Sequence, residues 1–109
     1  MPYLITFARW PSHKTAEVMK IAIQALKKFP EDDSLGEGLV SGNAIKVTEE
    51  GARSLSVAHV SKGKLEESYL RGQAIGNLYA LGIDGFEYSI EIWSTLEEAY
   101  GSVGQKPPE

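Results

Sequence analysis

The stretch that decides the fold is residues 3–10, YLITFARW, which read as a β-strand ended by Pro11. Aromatic and β-branched residues predominate in it, and both of its faces are largely apolar. A strand that is apolar on both faces is typical of a sheet covered on each side. Near the other end of the chain, residues 86–93, FEYSIEIW, alternate regularly and predict a half-buried strand.

Two helices and a hairpin are predicted between these strands. In chain order, the predicted elements are a helix over 13–28, strand residues at 39–40 and 44–48, a strand over 53–61 and a helix over 65–81. Ser12 is the predicted N-cap of the first helix. Ser94 or Thr95 caps a short final helix that ends near Tyr100, with a carboxylate at its third position.

The order of these elements predicts an α+β fold of ferredoxin-like type. A βαββαβ chain with right-handed crossovers forms a four-stranded antiparallel sheet with two helices on one face. A chain of 109 residues supplies one such domain. We expect the domain to span residues 1–100, with residues 101–109 as a flexible polar tail rich in glycine and proline.

Composition excludes several classes of protein. The chain carries 11 basic and 15 acidic residues, a net charge of −4, and its basic clusters are too small for a nucleic-acid binder. It has no cysteine, so disulfides, cysteine-ligated metals and thiol catalysis are excluded. No apolar run is long enough to span a membrane, and the N-terminus lacks a basic leader. The expectation is a cytoplasmic protein with no membrane partner.

The sheet face opposite the helices is predicted to be an interface. If the alternation of the last strand sets the register, Trp10 and Trp93 both lie on that face, where exposure to water costs about 2 kcal/mol together. The first helix also carries more apolar surface than a simple surface helix needs. A homodimer or larger homo-oligomer is therefore expected. Its predicted interface residues are Leu4, Thr6, Trp10, Glu91 and Trp93.

The chain resembles the dimeric α+β barrel superfamily. The resemblance covers residues 3–100 and lies in the opening strand YLITFARW, the βαββαβ order and the closing strand GFEYSIEIW. It implies two sheets packed face to face in a homodimer, with ligands between helices and sheet. The superfamily contains cofactor-independent monooxygenases, lactone isomerases, dehydratases and haem enzymes. The resemblance therefore implies a fold and leaves the activity open.

Candidate site residues are few. His59 is assigned to the helix side of the sheet, where a neutral imidazole among aromatic rings could act as a general base. Arg9 could receive a ligand carboxylate. His13, in the first helical turn, could lie at the mouth of the pocket. The remaining predicted ligand-binding residues are Tyr69, Tyr79 and Tyr88. Each has a structural alternative, as a core side chain or a surface ion pair.

Three functional hypotheses follow from the sequence. The first is a homodimeric barrel-type domain that binds a small, partly apolar molecule between sheet and helices or has a structural role. The second is a cofactor-independent enzyme, monooxygenase-like or isomerase-like, with His59 as its base. The third is a regulatory ligand-binding module of the ACT type, which shares the βαββαβ order. No metal site and no cofactor are predicted, because two separated histidines give little metal signal.

Overall fold

The computed structural model describes residues 1–40 and 44–108; Glu109, the end of the predicted tail, lies outside that range. The strands are β1 (Tyr3–Trp10), β2 (Gly36–Gly38), β3 (Ala44–Thr48), β4 (Gly51–Val60) and β5 (Glu87–Trp93). The helices are α1 (Thr15–Lys28), α2 (Leu65–Gly82) and α3 (Leu96–Gly101). The fold is α+β, with an antiparallel sheet and helices, as the sequence predicted.

The sheet has five strands among the described residues instead of the predicted four. Its order is β2–β4–β1–β5, and β3 also pairs with β4. The expected second strand is divided into β2 and β3. β2 pairs with the C-terminal half of β4, and β3 pairs with its N-terminal half. Leu39 and Val40, expected to be strand residues, instead lie in a bend where both backbone N–H groups donate to the Val57 carbonyl.

Gly36 explains why the chain enters the sheet where it does. Its φ is +155°, and a Cβ built on it would lie 2.3 Å from the His59 carbonyl oxygen. Only glycine allows the backbone of β2 to approach β4 this closely. The loop that follows α1 therefore joins the sheet edge at this residue.

The helix termini agree with the sequence at one end of the chain and differ at the other. Thr95 caps α3 in a capping box, because its side chain accepts from the Glu98 backbone N–H while the Glu98 carboxylate accepts from the Thr95 N–H. Ser12, by contrast, does not cap α1. It opens a 3-10 turn, Ser12–Lys14, and its carbonyl accepts from the Thr15 hydroxyl at 2.7 Å.

Strand register divides the sheet into two faces. The even-numbered residues of β1, β4 and β5 form the inner face, which α1 and α2 cover, and the odd-numbered residues form the outer face. The core lies on the inner face, where Trp10, Val18, Ala52 and Ile83 are buried together. Tyr79 of α2 stacks on Phe86 at 5.1 Å, and Phe86 stacks on Trp10 at 5.8 Å between ring centroids.

This register corrects the expected composition of the uncovered face. Leu4, Thr6 and Trp10 lie on the inner face under the helices, because Thr6 pairs with Ile90 and Trp10 pairs with Ala52. Glu91 pairs with Ile5, and Trp93 pairs with Tyr3, so these two residues lie on the outer face. The prediction assigned residues of opposite phase to one face. Alternation within one strand does not reveal the phase of its neighbour.

Candidate functional site

The predicted site residues do not come together. His59 is on the outer face, with its ring 5.4 Å from that of Tyr3 and its Nε2 2.9 Å from the Met1 carbonyl oxygen. In the tautomer with hydrogen on Nε2, the imidazole donates to that carbonyl. Tyr79 and Tyr88 belong to the inner side of the sheet. The expected pocket with His59 among these tyrosines is therefore wrong.

The other candidates also have local partners or stand apart. Arg9 forms an exposed ion pair with Glu87 at 3.0 Å, on the outer face. His13 is exposed in the 3-10 turn before α1. Tyr69 is partly buried on α2. The structure thus spreads these side chains over both sides of the sheet.

Tyr79 and Tyr88 contribute to packing under α2. Burial raises the pKa of the Tyr79 phenol above its ordinary value. The Tyr88 hydroxyl donates to Asn77 Oδ1 at 2.7 Å, and its ring lies against Gly76, where a Cβ would come within 2.6 Å of it. These two tyrosines fill space between helix and sheet.

A cleft of about 890 Å³ opens between α2 and the inner face, at the end of the sheet away from Trp10. This volume is in the range of small-molecule sites in proteins. Leu4, Leu35, Val60 and Ile75 line it with apolar side chains. Ser56 and Ala58 of β4 add small side chains to this lining. The sequence analysis predicted a ligand between sheet and helices, and two residues it named, His59 and Leu4, line this cleft, but it did not identify the loop or the helix residues that complete the lining.

One face of α2 forms a wall of the cleft. Ser68, Arg71, Gly72 and Ile75 line it at helical intervals of three and four residues. This spacing was visible in the sequence and could have marked the wall. The Ser68 hydroxyl oxygen is buried, and no residue in the described ranges 1–40 and 44–108 forms a hydrogen bond with it.

The loop between α1 and β2 covers the cleft on another side. Glu31, Asp32, Asp33 and Leu35 of this loop line the cleft. Arg71 holds the loop to α2, because its guanidinium donates to the Pro30 carbonyl and lies 5.7 Å from the centre of the Phe29 ring. α2 and the loop are therefore joined through one side chain.

Asp32 gives this loop a stable negative charge. Hydrogen bonds from the Ser34 hydroxyl and backbone N–H lower the pKa of the Asp32 carboxyl, and the positive charges of Arg71 and Lys64 lower it further. The two Ser34 donors lie 2.5 and 3.0 Å from Asp32 Oδ1. The carboxylate therefore remains ionised at neutral pH.

The outer face carries a smaller depression of about 260 Å³. It lies between Phe7, Arg9, Arg53, Glu87 and Ser89.

Within the parts of the chain that are described, no group of three or more His, Asp or Glu residues is arranged to hold a metal ion. Nor is any helix in those parts long and apolar enough to cross a membrane.

Comparison with known proteins adds no family to this description. The chain matches no family model, no curated protein and no solved structure at a significant level. The site must therefore be interpreted from its own geometry. Its main feature is the cleft bounded by α2, the inner face and the loop at residues 30–35.

Proposed function

We propose that this protein binds a small, partly apolar molecule in the cleft between α2 and the inner face. The observation that carries the proposal is the cleft itself, about 890 Å³ in volume, with apolar lining and a few polar groups. Binding sites for small molecules combine these features: burial of apolar area supplies affinity, and a small number of polar groups orients the ligand.

The small strand residues support this proposal. Ala58 lies on the inner face opposite Leu4 and lines the cleft. Leu35, in the loop, is buried, and its carbonyl accepts from the Ser61 N–H, so it adds a fixed apolar side chain to the lining of the cleft. A ligand in this position would replace the packing that large side chains supply elsewhere on the sheet.

An NMR titration with indole, a neutral apolar probe, tests the proposal. We expect amide shifts to concentrate on the cleft wall at Ser68, Gly72 and Ile75. Ala58→Phe places a ring in the apolar part of the cleft and should strongly reduce these shifts. Ala16→Phe, the same change at an exposed position on α1, is the matched control and should retain them. Shifts scattered over the surface, or unaffected by Ala58→Phe, would contradict the proposal.

The second part of the proposal is a homodimer formed through the outer face, as in a ferredoxin-like dimeric α+β barrel. Apolar side chains of β1 and β4 share this face with Trp93, which is 50% exposed. Burying such an aromatic side chain contributes about 2 kcal/mol. An association that covers this face would therefore be favourable.

The distribution of charge on the outer face also supports the proposed self-association. Arg9 and Arg53 lie opposite each other at one end of the strands, in exposed ion pairs with Glu87 and Glu50 that a partner's carboxylates could share. Glu37 lies beside His59 at the other end, and Glu91 lies beside Ile5. A twofold axis that reverses the strand direction brings the arginines of one protomer over the carboxylates of its partner. Such an isologous contact is self-complementary.

Sedimentation velocity over a range of concentrations tests the dimer. Trp93→Glu should shift the equilibrium strongly toward monomer. Leu81→Glu is the control, because Leu81 is 89% exposed on α2 and away from the outer face. A wild-type protein that stays monomeric at high concentration would contradict the dimer and leave the cleft proposal standing.

A further inference from the structure

The polar groups of the cleft indicate what kind of ligand it takes, and the inference rests on the proposed function. Arg71 is a cation on the cleft wall. Its guanidinium donates to a neutral carbonyl, and among the described residues it takes part in no direct ion pair within 4.0 Å. Such a guanidinium retains donors that can hold a carboxylate in a bidentate pair.

Ser68 adds a second donor on the same wall. It precedes Arg71 by three residues, so the two side chains lie on neighbouring turns of one helix face. Its buried hydroxyl oxygen lacks a hydrogen-bond partner among the described residues. A buried hydroxyl without a partner is unfavourable, and a ligand oxygen would supply the missing hydrogen-bond acceptor. Arg71 and Ser68 together favour a carboxylate.

The loop imposes the opposite requirement. Glu31, Asp32 and Asp33 line the cleft within a single segment, and Asp32 stays ionised. Three carboxyl residues beside the cleft repel a simple anion and attract an ammonium group. A ligand with one charge therefore meets one favourable wall and one unfavourable wall. A ligand that carries both charges close together meets two favourable walls.

We propose that the cleft binds a zwitterion, an amino acid with a large apolar side chain. Its carboxylate would be held by Arg71 and Ser68 on α2, and its ammonium group by the acidic loop. Its side chain would occupy the apolar part of the cleft near Leu4, Val60 and Ile75. The volume leaves room for an aromatic side chain.

Three related compounds test this proposal by calorimetry on the full chain. L-Phenylalanine carries both charges, 3-phenylpropionate lacks the amine, and phenethylamine lacks the carboxylate. We expect phenylalanine to bind about tenfold or more tighter than either analogue, because each loses one charge-assisted contact. Equal binding of all three compounds would overturn the zwitterion proposal. The proposal would also fail if phenylalanine and both analogues did not bind at all.

Two charge-removing variants separate ligand recognition from general loosening of the loop. Arg71→Gln should weaken phenylalanine and 3-phenylpropionate by a larger factor than phenethylamine, which loses only the contribution of a well-held loop. Asp32→Asn should do the reverse, weakening phenylalanine and phenethylamine but not 3-phenylpropionate. Lys20→Gln, on the exposed side of α1, is the control and should change none of them. A variant that weakens all three compounds equally would show only a loosened loop and would overturn the assignment.

Ser68→Ala supplies a milder test in a protein that folds normally. It should lower the affinity for the two compounds with a carboxylate about three- to tenfold. Indole distinguishes failure of this inference from failure of the proposed function. If indole binds the cleft and phenylalanine binds no tighter than its analogues, the zwitterion fails and the cleft proposal stands. If neither indole nor phenylalanine binds, both fail.

Discussion

The inner face has two ends that use the same strands and the same helix but are filled differently. At the closed end, around Trp10, Ala52 and Ile83, three aromatic rings are stacked between helix and sheet, and Ala52 is 0% exposed. At the hollow end, around Ala58 and Ser68, the cleft remains. At each of these two ends β4 has an alanine that points inward, Ala52 at the closed end and Ala58 at the hollow end.

The difference teaches that neighbours decide whether a strand of small residues makes a core or a cavity. Ala52 lies beside Trp10, whose indole fills the space above it and donates to Thr15 Oγ1 at 3.0 Å. Ala58 lies beside Leu4, a shorter side chain, and Gly38. Close packing at one end and a cavity at the other follow from these partners.

The largest expected effect is at the closed end. Trp10→Ala removes the indole from the aromatic stack and should lower the free energy of unfolding by about 3–5 kcal/mol, measured by urea denaturation. Trp93→Ala is the control on the outer face, measured at a protein concentration that keeps the chain monomeric; its side chain is half exposed there, and its removal should cost about 1 kcal/mol. Equal costs would show that the outer face of the isolated chain is packed as tightly as the core.

The same substitution at both ends sharpens the comparison. Ala52→Phe places a ring where the side chain is fully enclosed and should destabilise the protein by about 3 kcal/mol through overpacking. Ala58→Phe places it in the cleft and should change the stability by less than about 1 kcal/mol. Thermal unfolding of the two variants gives the comparison directly. A large loss of stability in Ala58→Phe would contradict the presence of space for a ring at the hollow end.

Two glycines of α2 provide a finer test along the helix. A Cβ on Gly76 would lie 2.6 Å from the Tyr88 ring, whereas a Cβ on Gly72 would lie 3.1 Å from the flexible Cδ1 of Ile90. Both alanine variants gain about 1 kcal/mol of helix propensity. We expect Gly76→Ala to be destabilised by a net of about 1–2 kcal/mol. Gly72→Ala should be neutral or stabilised, and the reverse order would refute the close contact at Tyr88.

The smallest expected effect concerns the N-terminus, which borders the hollow end. The Met1 ammonium group bonds Glu98 Oε2 at 2.8 Å, and Met1 also lines the cleft. That hydrogen bond, followed by the one from the Thr95 backbone, lowers the pKa of Glu98 below its ordinary 4.5. The pair therefore stabilises the fold above pH 4.5 and loses its contribution as the pH falls through the lowered pKa.

Glu98→Gln should accordingly lower the melting temperature at pH 7 by a small amount. The difference from wild type should shrink as the pH is taken below the ordinary glutamate value, since both side chains are then neutral. Melting curves measured at several pH values between neutral and acidic test this. A difference that persists unchanged in acid would mean that the carboxylate charge is not the cause.

Much of the fold could be predicted from the sequence because local patterns determine it. The β1 segment YLITFARW, the α2 helix and the capping box at Thr95 were predicted within a residue or so. Residues 39–40 were misassigned because two apolar residues read as strand, whereas the backbone bends after Gly38 and both N–H groups donate to the Val57 carbonyl. Helix and strand periodicities are properties of short windows, so one sequence suffices to reveal them.

The site was less predictable because it depends on residues distant in the chain. His59 and Tyr88 are both plausible in a pocket by residue type, yet the register puts them on opposite faces. The cleft joins Asp32 of the loop, Ala58 of a strand and Ser68 of a helix, and no window contains all three. The signals available in the sequence were the helical spacing of Ser68, Arg71 and Ile75 and the single histidine His59 on the strand.

The sequence by itself determined the α+β class, the main elements and the exclusion of cysteine chemistry, because composition and short-range periodicity carry that information. Only the tertiary structure decided which side chains share a face and where space remains between helix and sheet. Register is the physical reason: a shift of one residue exchanges the two faces of a strand without changing its pattern. The position of the cleft depends on that register and on the loop that Arg71 holds to α2.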